Sequence, residues 1–308
     1  MSALSRPEFH SEEAAFAHLE KIVWADGMVC PHCGAMDRLT SVKANPAKRI
    51  RIGLHRCGHC KGQFTVKVGT VFEHMRLPLH KAMQAVYLVT SSKKGISAHQ
   101  LHRTLEITYK SAWFLLHRIR EAMTSGDMSP FGADGGPVEV DETFLGHKKG
   151  AQVRRGYEHK MKVVALVERN TGQTRMMVVD KLNIATVTEI VRNNVAAEAH
   201  LMTDEAPHYT KVGREFAKHD IVRHTAGEYG RGDVTTNTIE GSFSIFKRGM
   251  RGIYQHCGEQ HLHRYLAEFE FRYNNRAALG CNDTDRSVAA LAGIVGKRLT
   301  YAGPDGRA

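Results

Sequence analysis

No apolar stretch in this sequence approaches the ~18 uncharged residues of a membrane-spanning helix, which excludes a protein anchored in that way. The first residues, MSALSRPEFHSEE, lack the apolar core of a signal peptide, so a cytoplasmic protein is expected. Cysteine is scarce: six in 308 residues are too few for a secreted disulfide scaffold. There is no internal repeat and no low-complexity tract. With 42% apolar and 24% charged residues the chain is not a mostly disordered one. At this length two or three domains are expected. Acid is also in deficit. Lys and Arg exceed Asp and Glu by 11, and the excess is spread: +4 over residues 1–77, +4 over 78–127 and +3 over 128–308. A spread excess suits modules laid along a polyanion, which favours a nucleic-acid partner over an ordinary basic enzyme.

The pattern changes along the chain in step with those three segments. In residues 1–77, Ser11 caps a short helix with Phe16, Leu19 and Val23 at helical spacing. Alternation at Ile50, Ile52 and Leu54, and at Phe64, Val66 and Val68, predicts two short strands. Residues 78–127 read as helices, the last two separated by a turn at Glu106–Thr108, in a helix-turn-helix-like order. The final helix carries Lys110, Arg118 and Arg120, so it is a candidate for the major groove or else a plain connector. Residues 124–137 are rich in Gly, Ser, Asp and Pro and read as a linker. The segment 128–308 opens with strands at Val138–Leu145, Met161–Glu168 and Thr174–Val179. A helix, a short strand at His200–Thr203, and helical patterns around 207–218, 237–251, 259–276 and 285–298 follow.

Two C-x-x-C knuckles, Cys30/Cys33 and Cys57/Cys60, flank 23 intervening residues. Two such turns present four thiolates tetrahedrally to one structural Zn²⁺ and leave no position for substrate. Redox pairs or free thiols are the alternatives, and two matched pairs around a β-rich spacer favour zinc. Cys257 and Cys281 stand alone and read as small apolar residues.

Three acids fall where strands end or a helix runs beside them. Asp141 lies in VEVDETFL, on the face opposite Val138, Val140 and Phe144; Asp204 ends the strand at 200–203; Glu240 sits on the helical stretch 237–251. Converging carboxylates repel, and divalent cations relieve that repulsion. Two such cations activate an attacking oxygen and stabilise a leaving one on a phosphodiester. Lys247 and Arg251, seven and eleven residues beyond Glu240, share its helical face and suit a DNA backbone. A purely local reading also stands, with Asn237 as N-cap and Glu240 closing a capping box.

Several motifs, in order, resemble those of bacterial insertion-sequence transposases, the prokaryotic relatives of the Merlin transposon superfamily. They are the paired knuckles, Gly69-Thr70-Val71-Phe72, Val140-Asp141-Glu142-Thr143, Thr203-Asp204-Glu205, the stretch from Asn237 to Gly249, and His261–Phe269 followed by Phe271-Arg272-Tyr273-Asn274. The resemblance spans about residues 14–277. It implies an α/β, RNase H-like catalytic core, a mixed sheet flanked by helices. This core, residues 128–308, would follow a zinc ribbon (1–77) and the helical segment (78–127). It implies that Asp141, Asp204 and Glu240 form a DDE triad holding two Mg²⁺ or Mn²⁺, with Asn237 a competing or supporting ligand. It further implies metal-dependent cleavage at terminal inverted repeats and transfer of the 3′-OH into target DNA. The partners would be double-stranded DNA and a second copy of the chain, or more, in a nucleoid-bound complex. Lys247 would touch the transposon end. Lys148, Lys149, Arg154 and Arg155 are candidates to grip DNA near the site. A nuclease on the same core and a domesticated zinc-ribbon DNA binder are the alternatives.

Overall fold

The computed structural model describes residues 2–153 and 157–299, which form two compact units, residues 1–124 with 281–308, and residues 125–280. Arg154 and Arg155 lie outside the described residues.

The first unit opens with α1 (Glu12–Val23), whose Ser11 cap accepts the Ala14 N–H at 3.2 Å. Strands β1 (Leu39–Val42), β2 (Leu54–Cys57) and β3 (Gln63–Phe64) make an antiparallel sheet. The expected alternation was only partly realised. Ile52 lies in a turn at Gly53, just before β2, and Val66 and Val68 lie in another, just after β3. Gly53 has φ +70°, and a Cβ there would lie 2.2 Å from the Phe16 ring, so the ribbon docks on α1 at a bare backbone. Three helices follow: α2 (Leu79–Ser91), α3 (Ala98–Leu105) and α4 (Tyr109–Ala122). The Glu12 carboxylate of α1 accepts the first N–H groups of α2, at Leu79 and His80, satisfying donors that helix starts leave open.

Two of the three cations on α4 serve the fold. Arg118 donates to the carbonyls of Val71 and Glu73, and Arg120 is buried, leaving Lys110 exposed.

The tail returns to this unit and not to the segment it follows in sequence. The pattern at 285–298 becomes α9 (Asp283–Ala292), with an Asn282/Asp285 capping box. Arg286 of α9 donates to the Thr90 carbonyl of α2, and Lys297 to the carbonyls of Ala122 and Thr124.

The second unit is a mixed sheet between two helical layers. Its strands are β4 (Pro137–Leu145), β5 (Met161–Glu168), β6 (Gln173–Val179), β7 (His200–Asp204) and β8 (Lys218–Val222), in the order β6-β5-β4-β7-β8. Pairs β6–β5–β4 are antiparallel and β4–β7–β8 parallel. This is the α/β class that the sequence implies. One face packs α5 (Ile184–Asn194) and α6 (Pro207–Val212) against Val138, Val140, Val164 and Leu201. The other packs α7 (Asn237–Gly249) and α8 (Leu262–Asn274) against Val163, Ala165 and Val167. The helical pattern expected to 218 stops at Val212, and β8 takes the edge of the sheet. Among the described residues, no helix is long and apolar enough to cross a membrane.

Candidate active site

The parallel register of β4 and β7 pairs Val140 with Thr203, so Asp141 and Asp204 follow side by side at the next step. Helix α7 crosses the sheet face beyond them and brings Glu240. All three carboxylates line one cavity of about 530 Å³, and Lys247 and Arg251 line it with them. The side chains predicted from separate stretches are thus brought together. Arg251 arrives on a π turn, Met250–Tyr254, that continues α7. Lys148 and Lys149 do not line this cavity. Lys148 is paired with Glu259 at 2.6 Å, and Lys149 is exposed.

The capping-box alternative is not realised. The helix starts at Asn237, with Thr236 as N-cap, and no side chain caps it in the usual way. Glu240 Oε1 instead accepts the Thr236 hydroxyl at 3.1 Å, and Asn237 is exposed and absent from the cavity lining.

The acids are crowded. Burial, then the charge of Glu142, pushes the Asp141 carboxyl up to about 8, with Asp204 and Glu240 adding to the effect. Asp204 is raised too, chiefly by burial. Burial lowers Lys247, against the pull of Asp141 and Glu240.

The cysteine quartet forms the second centre. Cys30 and Cys60 have their sulfurs 3.7 Å apart, as do Cys33 and Cys57. Four thiolates at the usual zinc distance stand about 3.8 Å apart at the corners of a tetrahedron, so the set fits Zn²⁺ closely. Backbone N–H groups of Cys60 and His59 bring the Cys57 thiol down to about 6, towards the thiolate a metal needs. Among the described residues, this is the one group of His, Cys, Asp or Glu with three or more ligand atoms within 4.8 Å of one another. At least one pair within Asp141, Asp204 and Glu240 is therefore more widely spaced.

Residues 10–63 match the transposase zinc-ribbon domain, and residues 134–274 match the ISXO2-like transposase domain. The chain belongs to the insertion-sequence transposases. An uncharacterized protein in transposable element ISH50 of Halobacterium salinarum is 28% identical over 289 residues, covering 86% of this chain and 91% of that one. Among solved structures, a simian T-cell lymphotropic virus intasome in complex with the PP2A regulatory subunit B56 gamma is 13% identical. That match covers 55% of this chain and 67% of the other at a TM-score of 0.30, too slight a likeness to carry weight.

The transposase core contains polar residues that spacing alone did not single out. Glu142 lines the cavity and accepts the Tyr209 hydroxyl at 2.7 Å and His208 at 3.2 Å. His224 lines it as well, with Nε2 3.6 Å from Glu240 Oε1 and 3.4 Å from the Thr236 hydroxyl. The turn bearing His224 is held by Glu205, the neighbour of Asp204, which accepts the N–H and hydroxyl of Thr225. Glu139, fully buried, accepts the Ile239 N–H of α7 at 2.8 Å and pairs with Arg169 at 2.5 Å. Arg169 also donates to the carbonyls of Asp233 and Thr235, fixing the approach to α7. The only sequence signal for Glu139 is an acid two residues before Asp141, on the same strand face.

Proposed function

We propose that this transposase cleaves DNA at terminal inverted repeats and joins the freed 3′-OH to target DNA, using Asp141, Asp204 and Glu240 as a metal-holding triad. The observation that carries the reading is the convergence of these acids with Lys247 and Arg251 on one cavity. The donors fit Mg²⁺ or Mn²⁺: they are carboxylate oxygens, and burial, then the charge of Glu142, with Asp204 and Glu240 adding to it, pushes Asp141 up to about 8, a repulsion that a cation would relieve. When bound, such cations supply the positive charge that stabilises the attacking and leaving oxygens of a phosphodiester.

The chain's own residues do the rest by positioning. Lys247 and Arg251 hold the DNA backbone in the same cavity as the acids. Tyr209 and His208 fix Glu142 beside Asp141, while Thr236 fixes Glu240. In cleavage, the oxygen of water attacks phosphorus, the bond to the 3′ oxygen breaks, and that oxygen leaves with a proton. In joining, the 3′-OH loses its proton and attacks a target phosphorus, and the target's own 3′ oxygen departs protonated. One phosphodiester forms as one breaks, so no covalent enzyme–DNA intermediate and no external energy source is required. The zinc ribbon and helical segment bind the ends, and two copies of the chain pair two ends.

Asp204→Asn tests the triad. It should abolish strand cleavage and leave binding to the terminal repeats nearly intact; retained cleavage contradicts the assignment.

A further inference from the structure

A second cavity, of about 270 Å³, lies between the end of β4, the start of β5 and the π turn after α7. Its floor is apolar, with Met161 and Met250 buried there. Its wall carries the half-buried Phe144. Lys160 and Arg251 bring positive charge to the cavity, His147 and His256 line it too, and no carboxylate among the described residues does. Arg251 lines this cavity and the carboxylate cavity alike, so the two adjoin.

The surroundings are built for more than packing. The Phe144 ring stacks on Tyr157 at 4.3 Å and 21°, and Lys160 Nζ lies 5.0 Å over the Tyr157 ring. Tyr157 is 55% exposed, so its ring is not serving a core. The backbone on the opposite side leaves regular helix. Met250–Tyr254 is a π turn, and Gln255 has φ +58°, a left-handed conformation that residues with a Cβ seldom adopt. π turns and strained residues gather at functional sites.

We propose that this second cavity binds one unpaired nucleotide of the DNA strand that leaves the carboxylate cavity. The base lies against Phe144, whose ring Tyr157 backs, over the methionine floor, and its phosphate lies on Lys160, Arg251 and His256. Aromatic rings take any base by its π face, and cations without competing acids take the backbone. A paired base is held in its stack and cannot enter without being extruded, so the occupant is unpaired. The inference rests on the transposase reading above and adds a substrate feature to it: a preference for DNA that is single-stranded next to the cleavage point.

The test uses the full chain and fluorescence anisotropy, with Ca²⁺ replacing Mg²⁺ to hold the DNA uncut. One labelled duplex carries the terminal repeat with a blunt end at the cleavage point. A second adds a tail of a few unpaired thymidines there. The wild type should bind the tailed duplex about tenfold more tightly. Phe144→Ala, which removes the ring on the cavity wall, and Lys160→Ala should each lose that preference and bind the blunt duplex as the wild type does. Equal wild-type affinity for both duplexes overturns the nucleotide site and leaves the transposase reading standing. Variants that keep the preference, or that lose affinity for both duplexes equally, overturn it as well. A wild type that binds neither duplex overturns both readings.

Discussion

Glu139 Oε2 accepts the backbone N–H of Ile239 at 2.8 Å, so the strand bearing Asp141 clasps the first turn of the helix bearing Glu240. Glu139 has no solvent exposure, and its other oxygen is paired with Arg169. A buried carboxylate is costly unless its partners repay desolvation, and here they set the spacing of two acids 99 positions apart in sequence. Glu139→Ala should therefore destabilise the protein by about 3 kcal/mol, since it leaves Arg169 without its buried partner. Glu139→Gln, which keeps an acceptor for Ile239, should cost less and retain more cleavage. Denaturant titration of both variants, with cleavage measured under conditions where each is folded, checks this. Equal loss of activity in two well-folded variants would show that the clasp does not position the acids.

Stability should also respond to pH through Asp141. Its folded value, about 8, lies above the unfolded carboxylate range near 4. The neutral form is favoured in the fold, so this group's contribution is fully present below about pH 4 and is lost as pH rises to about 8. In buffer without divalent cations, the melting temperature should fall across that window, and Asp141→Asn should flatten the fall. Mg²⁺ should restore the wild type at pH 8. A wild-type profile identical to that of Asp141→Asn would contradict the prediction.

How far the site was legible in the sequence follows from what kind of signal each part leaves. Asp141 stood within an alternating strand pattern, Asp204 at a strand end and Glu240 in the first turn of a helix, and the order of the motifs singled them out. Strand β8 was missed because Lys-His-Asp-Ile-Val is polar. It sits at the sheet edge, where His200 and Lys218 pair with Asp220 and little of it is buried. Glu139, Glu142 and His224 depend on partners distant in sequence, which no local period encodes. Arg118 and Arg120 were legible as charges, but their use in the fold of the first unit was not.

The zinc ribbon should behave as a folding unit of its metal. The purified protein should carry one zinc per chain, and Cys57→Ser should lower that content and expose the ribbon to proteolysis. Elemental analysis with limited proteolysis checks both. Full zinc occupancy in the variant would remove Cys57 from the ligand set.

Lys247 is half-buried beside the acids, and its charge should be felt by phosphate. Lys247→Ala should reduce the slope of log affinity against log salt for end DNA by about one unit. An unchanged slope would place the DNA backbone elsewhere.

The central claim is that the convergent carboxylates cut and join DNA. It is tested most directly by a strand-transfer assay in Mg²⁺ with the purified chain and labelled DNA bearing the terminal repeats that flank its gene, beside Glu240→Gln. Joined products from the wild type and none from Glu240→Gln are the predicted result. Cutting without joining, or joining by the Glu240→Gln variant, would contradict it.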